Sequence, residues 1–224
     1  KKLNKDIRII FSSSRMVYGA ASKNPISEDH PTNPTSIYGI HKLTAEKYYI
    51  SYYKDYGINS SIIRITNPYG IRQQIKHSKY SVLGWFMRLA MEGQPIKIFG
   101  DGSQARDYIY IEDLIDAIVL ISSDRASGGE VFNVGSGTSV SLKEMVGCVV
   151  STVGDGSIQH VDWPENYKKI ETGDSTMDIS KLKNKFGWNP KNSLEGGMKK
   201  MVDYYGKIPS FQSCQSASEK RRAA

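Results

Sequence analysis

An apolar run, Ile7-Arg8-Ile9-Ile10-Phe11, breaks straight into three serines, Ser12, Ser13 and Ser14. A short β-branched and aromatic run bounded by small polar residues reads as a buried strand. A long helical stretch follows from Tyr38 to Tyr56, then a second apolar run, Ser60-Ser61-Ile62-Ile63-Arg64-Ile65. Strand, helix, strand is the repeating unit of a parallel sheet whose crossovers are helices. Sites in such open sheets form at the carboxyl ends of strands, which is where Ser14 falls.

Tyr38 and Lys42 stand four residues apart near the start of that helix. A turn takes about 3.6 residues, so the two side chains share a face. An ammonium beside a phenol favours the phenolate, and a helix N-terminus acts in the same direction. Such a tyrosine can take a proton from a sugar or alcohol hydroxyl. Ser14 would be a third polar group that orients the hydroxyl. The same spacing also arises from two solvated residues on an exposed helix face. Ser36 is the expected N-cap and Gly57 the expected C-cap.

Further along, Ser81 to Glu92 reads as a helix closed by Gly93, and Ile96 to Phe99 as a short strand. Ile111 to Ser122 reads as a helix with Glu112 and Asp113 at its positive end. Glu130 to Val134 reads as a strand. Ser141 to Val153 is a helix with a capping box, Ser141 with Glu144, and Ser193 to Tyr205 is the last clear helix. The long helix carries Tyr48, Tyr49, Tyr52, Tyr53 and Tyr56. They suit packing on the sheet, or a subunit interface, where tyrosine is enriched.

Hydrophobic residues make up 39% and charged residues 24% of 224, a balance that fits a soluble globular protein. No run spans a bilayer and no signal peptide is visible, so a cytoplasmic location and no membrane partner are expected. Cys148 and Cys214 are too few and too distant for a disulfide framework or a zinc site. His30, His41, His77 and His160 lack ligand spacing, so no metal is expected. The net charge of +7 owes much to the end segments, including Lys1, Lys2, Lys5, Lys220, Arg221 and Arg222. No nucleic-acid motif accompanies it, so no nucleic-acid partner is expected.

Several motifs in order resemble the NAD-dependent epimerase/dehydratase family, the extended short-chain dehydrogenases. They are Phe11-Ser12-Ser13-Ser14 with Val17-Tyr18-Gly19, and Ser36-Ile37-Tyr38-Gly39 with Lys42. Next come Arg64-Ile65-Thr66-Asn67-Pro68-Tyr69-Gly70 and Ile98-Phe99-Gly100-Asp101-Gly102. Arg106-Asp107-Tyr108-Ile109-Tyr110-Ile111-Glu112-Asp113-Leu114 and Phe132-Asn133-Val134-Gly135-Ser136-Gly137 complete the set. The likeness runs from about Ile7 to about Tyr205 and is greatest to UDP-glucose 4-epimerase-like enzymes.

The resemblance implies an α/β fold: the C-terminal half of a Rossmann-type doubly wound parallel sheet plus a smaller α/β substrate-binding region. Its expected parts are 1–70 with the Ser, Tyr and Lys, 71–208 with most of the substrate contacts and a returning strand and helix of the sheet, and a disordered tail over 209–224. The implied cofactor is NAD and the implied substrate a nucleotide-diphosphate sugar. Ser14, Tyr38 and Lys42 would be catalytic. Ser12, Ser13, Tyr38, Lys42 and Ile65 would hold the cofactor. Ser14, Asn67 and Arg106 would hold the substrate, with a homodimer as the assembly. From the residues alone, Asn67 reads equally as a turn cap. Arg106 reads as a surface ion pair or as a phosphate grip.

The Gly-x-x-Gly-x-x-Gly turn that cradles a dinucleotide pyrophosphate does not occur in these 224 residues. The chain opens at what resembles the fifth strand of the family, so about a hundred preceding residues are expected in a full-length enzyme. An isolated chain of this kind would expose an apolar edge and be marginally stable or poorly soluble. A sugar-nucleotide-binding fragment without turnover is therefore an alternative reading. The family's 4,6-dehydratases carry an Asp-Glu pair just after the serine position, and here Arg15 and Met16 stand there. This favours epimerase over 4,6-dehydratase, and a dehydratase or reductase of the same family is the other enzymatic alternative. Lys168 and Lys169 stand near where many epimerases place a second phosphate-binding arginine.

Overall fold

The computed structural model describes residues 7–79, 81–165 and 171–208. The tail expected to be disordered, and Lys168 and Lys169, lie outside the described residues.

β1 (Arg8–Ser14) runs into a 3₁₀ turn at Arg15–Val17. α1 (Ile37–Tyr56) follows, with Ser36 Oγ accepting from the Gly39 N–H and Gly57 closing it at φ 68°. β2 (Asn59–Ile65) then pairs parallel with β1, Ser14 opposite Ile65. β3 (Asn67–Tyr69), α2 (Val82–Met91), β4 (Pro95–Phe99), β5 (Ala105–Tyr110) and α3 (Ile111–Ser123) come next. β6 (Val131–Val134), β7 (Ser139–Ser141), α4 (Leu142–Val153), β8 (Ser157–Val161), α5 (Ser180–Phe186) and α6 (Leu194–Tyr205) complete the order.

β1, β2 and β6 form one parallel sheet in that order. β5 lies between β3, parallel to it, and β7, antiparallel to it. β4 and β8 form a parallel pair. One core packs the sheet against α3 and α5, with Ile63, Phe132, Leu114 and Leu182 fully or almost fully buried. A larger core gathers α2, α4 and α6 around β4, with Met87, Ile96, Met145 and Met201 at its centre. The molecule is thus a mixed α/β protein with parallel sheets, as expected.

β3, β5, β7, β8 and α5 were not anticipated as elements. β7 is only three residues long, and four of the five residues of β8 are exposed, so neither shows an apolar alternation. They exist because distant strands pair with them, β8 with β4 and β7 with β5. α5 has no side-chain cap and buries only Leu182. The tyrosines of α1 divide. Tyr49 stacks on Phe11 with ring centroids 4.8 Å apart. The Tyr53 ring lies against Gly128 and Gly129, where any Cβ would come within 2.7 Å of it. Tyr48, Tyr52 and Tyr56 face outward.

Candidate active site

The site grows from the place where β1 ends and α1 begins. Gly39 sits in the first turn of α1 against the 3₁₀ turn, and a Cβ there would stand 2.5 Å from the Met16 carbonyl oxygen. That close approach brings the α1 N-terminus beside Ser14. Tyr38 is 54% exposed. The Lys42 ammonium donates to the Ser12 carbonyl at 2.7 Å and lies 5.6 Å from the centre of the Tyr38 ring. Ser14 is nearly buried, and its Oγ accepts the Met16 N–H at 3.2 Å. Among the described residues its own O–H has no acceptor, so it is free to donate.

Beneath this surface lies a buried polar network. Ser13 Oγ donates to Glu46 Oε1 at 2.5 Å, and Arg64 Nη2 pairs with Glu46 Oε2 at 2.7 Å. Arg64 Nη1 donates to the Tyr18 hydroxyl at 3.0 Å and to the Glu28 carbonyl at 3.1 Å. Tyr18 donates in turn to Asn133 Oδ1 at 2.7 Å. Burial pushes the Tyr18 phenol up to about 12, although Arg64 pulls the other way. Burial also raises the Glu28 carboxyl. Sequence reasoning missed Glu46 and Arg64. The signal was present: Glu46 lies one turn past Lys42 on its stripe, and Arg64 interrupts an apolar strand.

The third group surrounds β5. Arg106 Nη1 donates to the carbonyls of Ala105 and Gly173, each at 2.9 Å, and Nη2 pairs with Glu171. Arg15 follows Ser14 directly, and its guanidinium donates to Thr172 Oγ1 at 3.4 Å. Burial, and then the like charge of Arg106, bring Arg15 down to about 10, while Glu171 partly offsets them. Asn67 Nδ2 donates to the Asp107 carbonyl at 2.7 Å. Asp107 itself is fully buried. Its carboxylate accepts from Ser136 N and Oγ at 2.8 and 2.7 Å, from Gly137 N at 3.2 Å and from Met177 N at 3.1 Å. Burial raises its pKa against those bonds. Asp113 fixes the Lys191 and Asn192 backbone N–H groups at 2.9 and 3.0 Å.

Ser12, Ser14, Tyr38 and Lys42 therefore meet at one end of the sheet. Asn67 comes two residues after Ile65, the register partner of Ser14. Arg15 links that end to Arg106. Ser13 and Ile65 are buried, and the Ser13 hydroxyl is taken by Glu46. A cavity of about 220 Å³ opens elsewhere, between Tyr108, Ser136, Thr138, Val140 and segment 190–194. Among the described residues no cluster of His, Cys, Asp or Glu is placed to hold a metal ion, and no helix is long and apolar enough to cross a membrane.

The end of β1 fits the nicotinamide side of a dinucleotide. An ammonium has three N–H donors and Lys42 uses one on Ser12, leaving two for ribose hydroxyls. Ser12 and Tyr38 are exposed beside it. Ser13 and Ile65 have no free side-chain donor to offer.

A parallel sheet with a Ser, Tyr and Lys at its carboxyl end defines a Rossmann-type short-chain dehydrogenase architecture. Residues 1–201 match the family model described as GDP-mannose 4,6 dehydratase. The UDP-glucose 4-epimerase of Mycolicibacterium smegmatis is 36% identical over 197 residues, 87% of this chain and 60% of that one. The Thermotoga maritima UDP-glucose 4-epimerase, solved with UDP-glucose, superposes with TM-score 0.82 at 32% identity, covering 89% of this chain and 63% of that one. A Bacillus anthracis dTDP-glucose 4,6-dehydratase, solved with NAD, gives TM-score 0.81 at 25% identity, covering 94% and 65%. The chain belongs to the NAD-dependent epimerase/dehydratase family. It spans about three fifths of the length of the curated relatives it matches, 60% and 62% of the first two.

Proposed function

We propose that this chain carries the proton-transfer and substrate-binding part of an NAD-dependent nucleotide-sugar epimerase acting at carbon 4 of the sugar. The carrying observation is the meeting of Tyr38, Lys42 and Ser14 at one strand end. Ser14 would donate its free O–H to the reacting oxygen and hold it toward Tyr38. Tyr38 would accept the proton of the sugar hydroxyl and later return it. Lys42 would stabilise the phenolate and hold the cofactor ribose. Bound NAD would accept and return a hydride. Arg106 and Asn67 would face the diphosphate.

Arg15 and Met16 support epimerase over dehydratase, since neither can act as the carboxyl acid or base that loss of water needs. The likeness to UDP-glucose 4-epimerases points the same way. The outward tyrosines Tyr48, Tyr52 and Tyr56 are the surface we assign to self-association.

The test uses the natural polypeptide that contains this chain, supplied with NAD and UDP-sugars. Carbon-4 inversion is expected, and Tyr38→Phe should lower kcat about 10²- to 10⁴-fold. A 4-keto-6-deoxy product, or full activity in the Tyr38 variant, would overturn the reading.

A further inference from the structure

Lys42 and Glu46 stand one turn apart on the same stripe of α1, the spacing at which a cation and a carboxylate commonly pair. On α2 the same order of charges does pair, Arg88 with Glu92 at 2.7 Å. On α1 it does not. Both Glu46 oxygens are taken from the other side, by Arg64 Nε at 3.1 and 3.3 Å, by Arg64 Nη2 at 2.7 Å and by Ser13 Oγ at 2.5 Å. Among the described residues the Lys42 ammonium meets no carboxylate. It donates to the Ser12 carbonyl and lies 5.2 and 5.6 Å from the centres of the Phe11 and Tyr38 rings.

Glu46 is almost fully buried, and a carboxylate in such a place needs a cation beside it. Two are at hand, Lys42 along the helix and Arg64 across from it on β2. Arg64 prevails because its planar fork takes both oxygens at once, which a point ammonium does not. It is also anchored behind, where Nη1 donates to the Tyr18 hydroxyl and the Glu28 carbonyl. Burial opposes the Arg64 charge, but Glu46 and Tyr18 outweigh it and raise its pKa. The other groups facing this part of α1 leave that balance alone. β1 offers Phe11 and the hydroxyl of Ser13. Beyond β1, Arg15 turns to Thr172, Tyr18 is a phenol held neutral by burial, and the Glu28 carboxylate accepts the Asn133 N–H. On α1 itself His41 is exposed and Tyr49 stacks on Phe11.

We propose that Arg64 is a positioning residue that captures Glu46 and so keeps the Lys42 ammonium for the Tyr38 phenolate. This rests on the reading of Tyr38 as the base. A free Glu46 would draw Lys42 along the helix, away from Tyr38, and would set an unmatched negative charge behind the ammonium. Both effects make the phenol harder to ionise.

Ultraviolet difference titration of the phenolate tests it on the natural polypeptide, each protein read against its own Tyr38→Phe counterpart. The pH profile of kcat/KM for UDP-glucose with NAD is the second readout. Arg64→Gln keeps N–H donors toward Glu46 but removes the charge. It should raise the midpoint of Tyr38 ionisation, and the acid limb of kcat/KM with it, by about 1–2 pH units. Arg64→Lys keeps the charge and should hold the midpoint near the parent's. Glu46→Leu combined with Arg64→Met removes both charges and should also return the parent's midpoint, even though kcat stays low. A fall in rate with no movement of the midpoint in Arg64→Gln would make Arg64 a merely structural residue and overturn the proposal. Should thermal melts show that Arg64→Gln does not fold, the double variant decides. A midpoint equal to the parent's supports capture, and one displaced by a pH unit in either direction overturns it. If no sugar is epimerised but the phenolate titration moves as stated, the epimerase reading fails while this one stands.

Discussion

α1 and α2 are both helices laid on β-structure, and they are held by opposite means. α1 buries only Gly39 and Glu46 among its 20 residues. α2 buries six of 10, namely Leu83, Gly84, Phe86, Met87, Ala90 and Met91. Apolar burial is roughly proportional to area and has no direction, so it resists separation better than it resists sliding or rotation. Hydrogen bonds and ion pairs are directional. The bonds from Ser13 and Arg64 to Glu46 fix the rotation of α1 about its axis, and Gly39 fixes its height above the 3₁₀ turn. α1 carries Tyr38 and Lys42, whose bearing must be set within a fraction of a turn, and α2 carries no such pair.

The strongest way to break this contrast is Glu46→Ala. It would leave Arg64 charged and buried without its partner, and should cost about 3–5 kcal/mol in urea unfolding. Glu46→Leu combined with Arg64→Met should regain most of that stability without regaining turnover. A cost for the single change below about 1 kcal/mol would mean that α1 is held by something else. Met87→Leu in α2 sharpens the other side. It conserves volume in a core held by area, so the loss should stay under about 1.5 kcal/mol in the same assay. The smallest effects belong to the caps. Ser36→Ala and Ser141→Ala each remove a side-chain acceptor at a helix start and should each cost about 1 kcal/mol. Only the Ser36 change, two residues from Tyr38, should also lower kcat. Equal kinetic effects from the caps of α1 and α4 would mean that the start of α1 has no special bearing on Tyr38.

What could be read from sequence was whatever a short window specifies. Ser36 and Gly57 bound α1 as their chemistry demands, and the Ser141–Glu144 capping box opens α4. β1, β2 and β6 announce themselves as apolar runs. β8 does not, because Ser157, Gln159 and His160 become a strand only through pairing with β4, some 60 residues earlier in the chain. At the site, the Tyr38–Lys42 spacing was visible because a helix converts spacing into direction. Glu46 and Arg64 lie 18 residues apart and declare nothing until two elements are packed. The same holds for Arg15 and Glu171. Ser13, assigned to the cofactor by resemblance, turns inward to Glu46 instead of outward, as alternation along a strand allows when Ser12 faces out.

Asp107 has a consequence for how this end of the molecule can be altered. Its carboxylate is shared by the turn at Ser136 and Gly137 and by the backbone at Met177, while its own carbonyl receives Thr66 and Asn67. Three other stretches of chain thus close on this one residue, two on its side chain and one on its backbone, and it works as a keystone. Loops that look separate along the sequence are not separate parts to be exchanged one at a time. A turn grafted in at 135–138 would also unseat the segment around Met177 and, through the neighbouring residue, the guanidinium of Arg106.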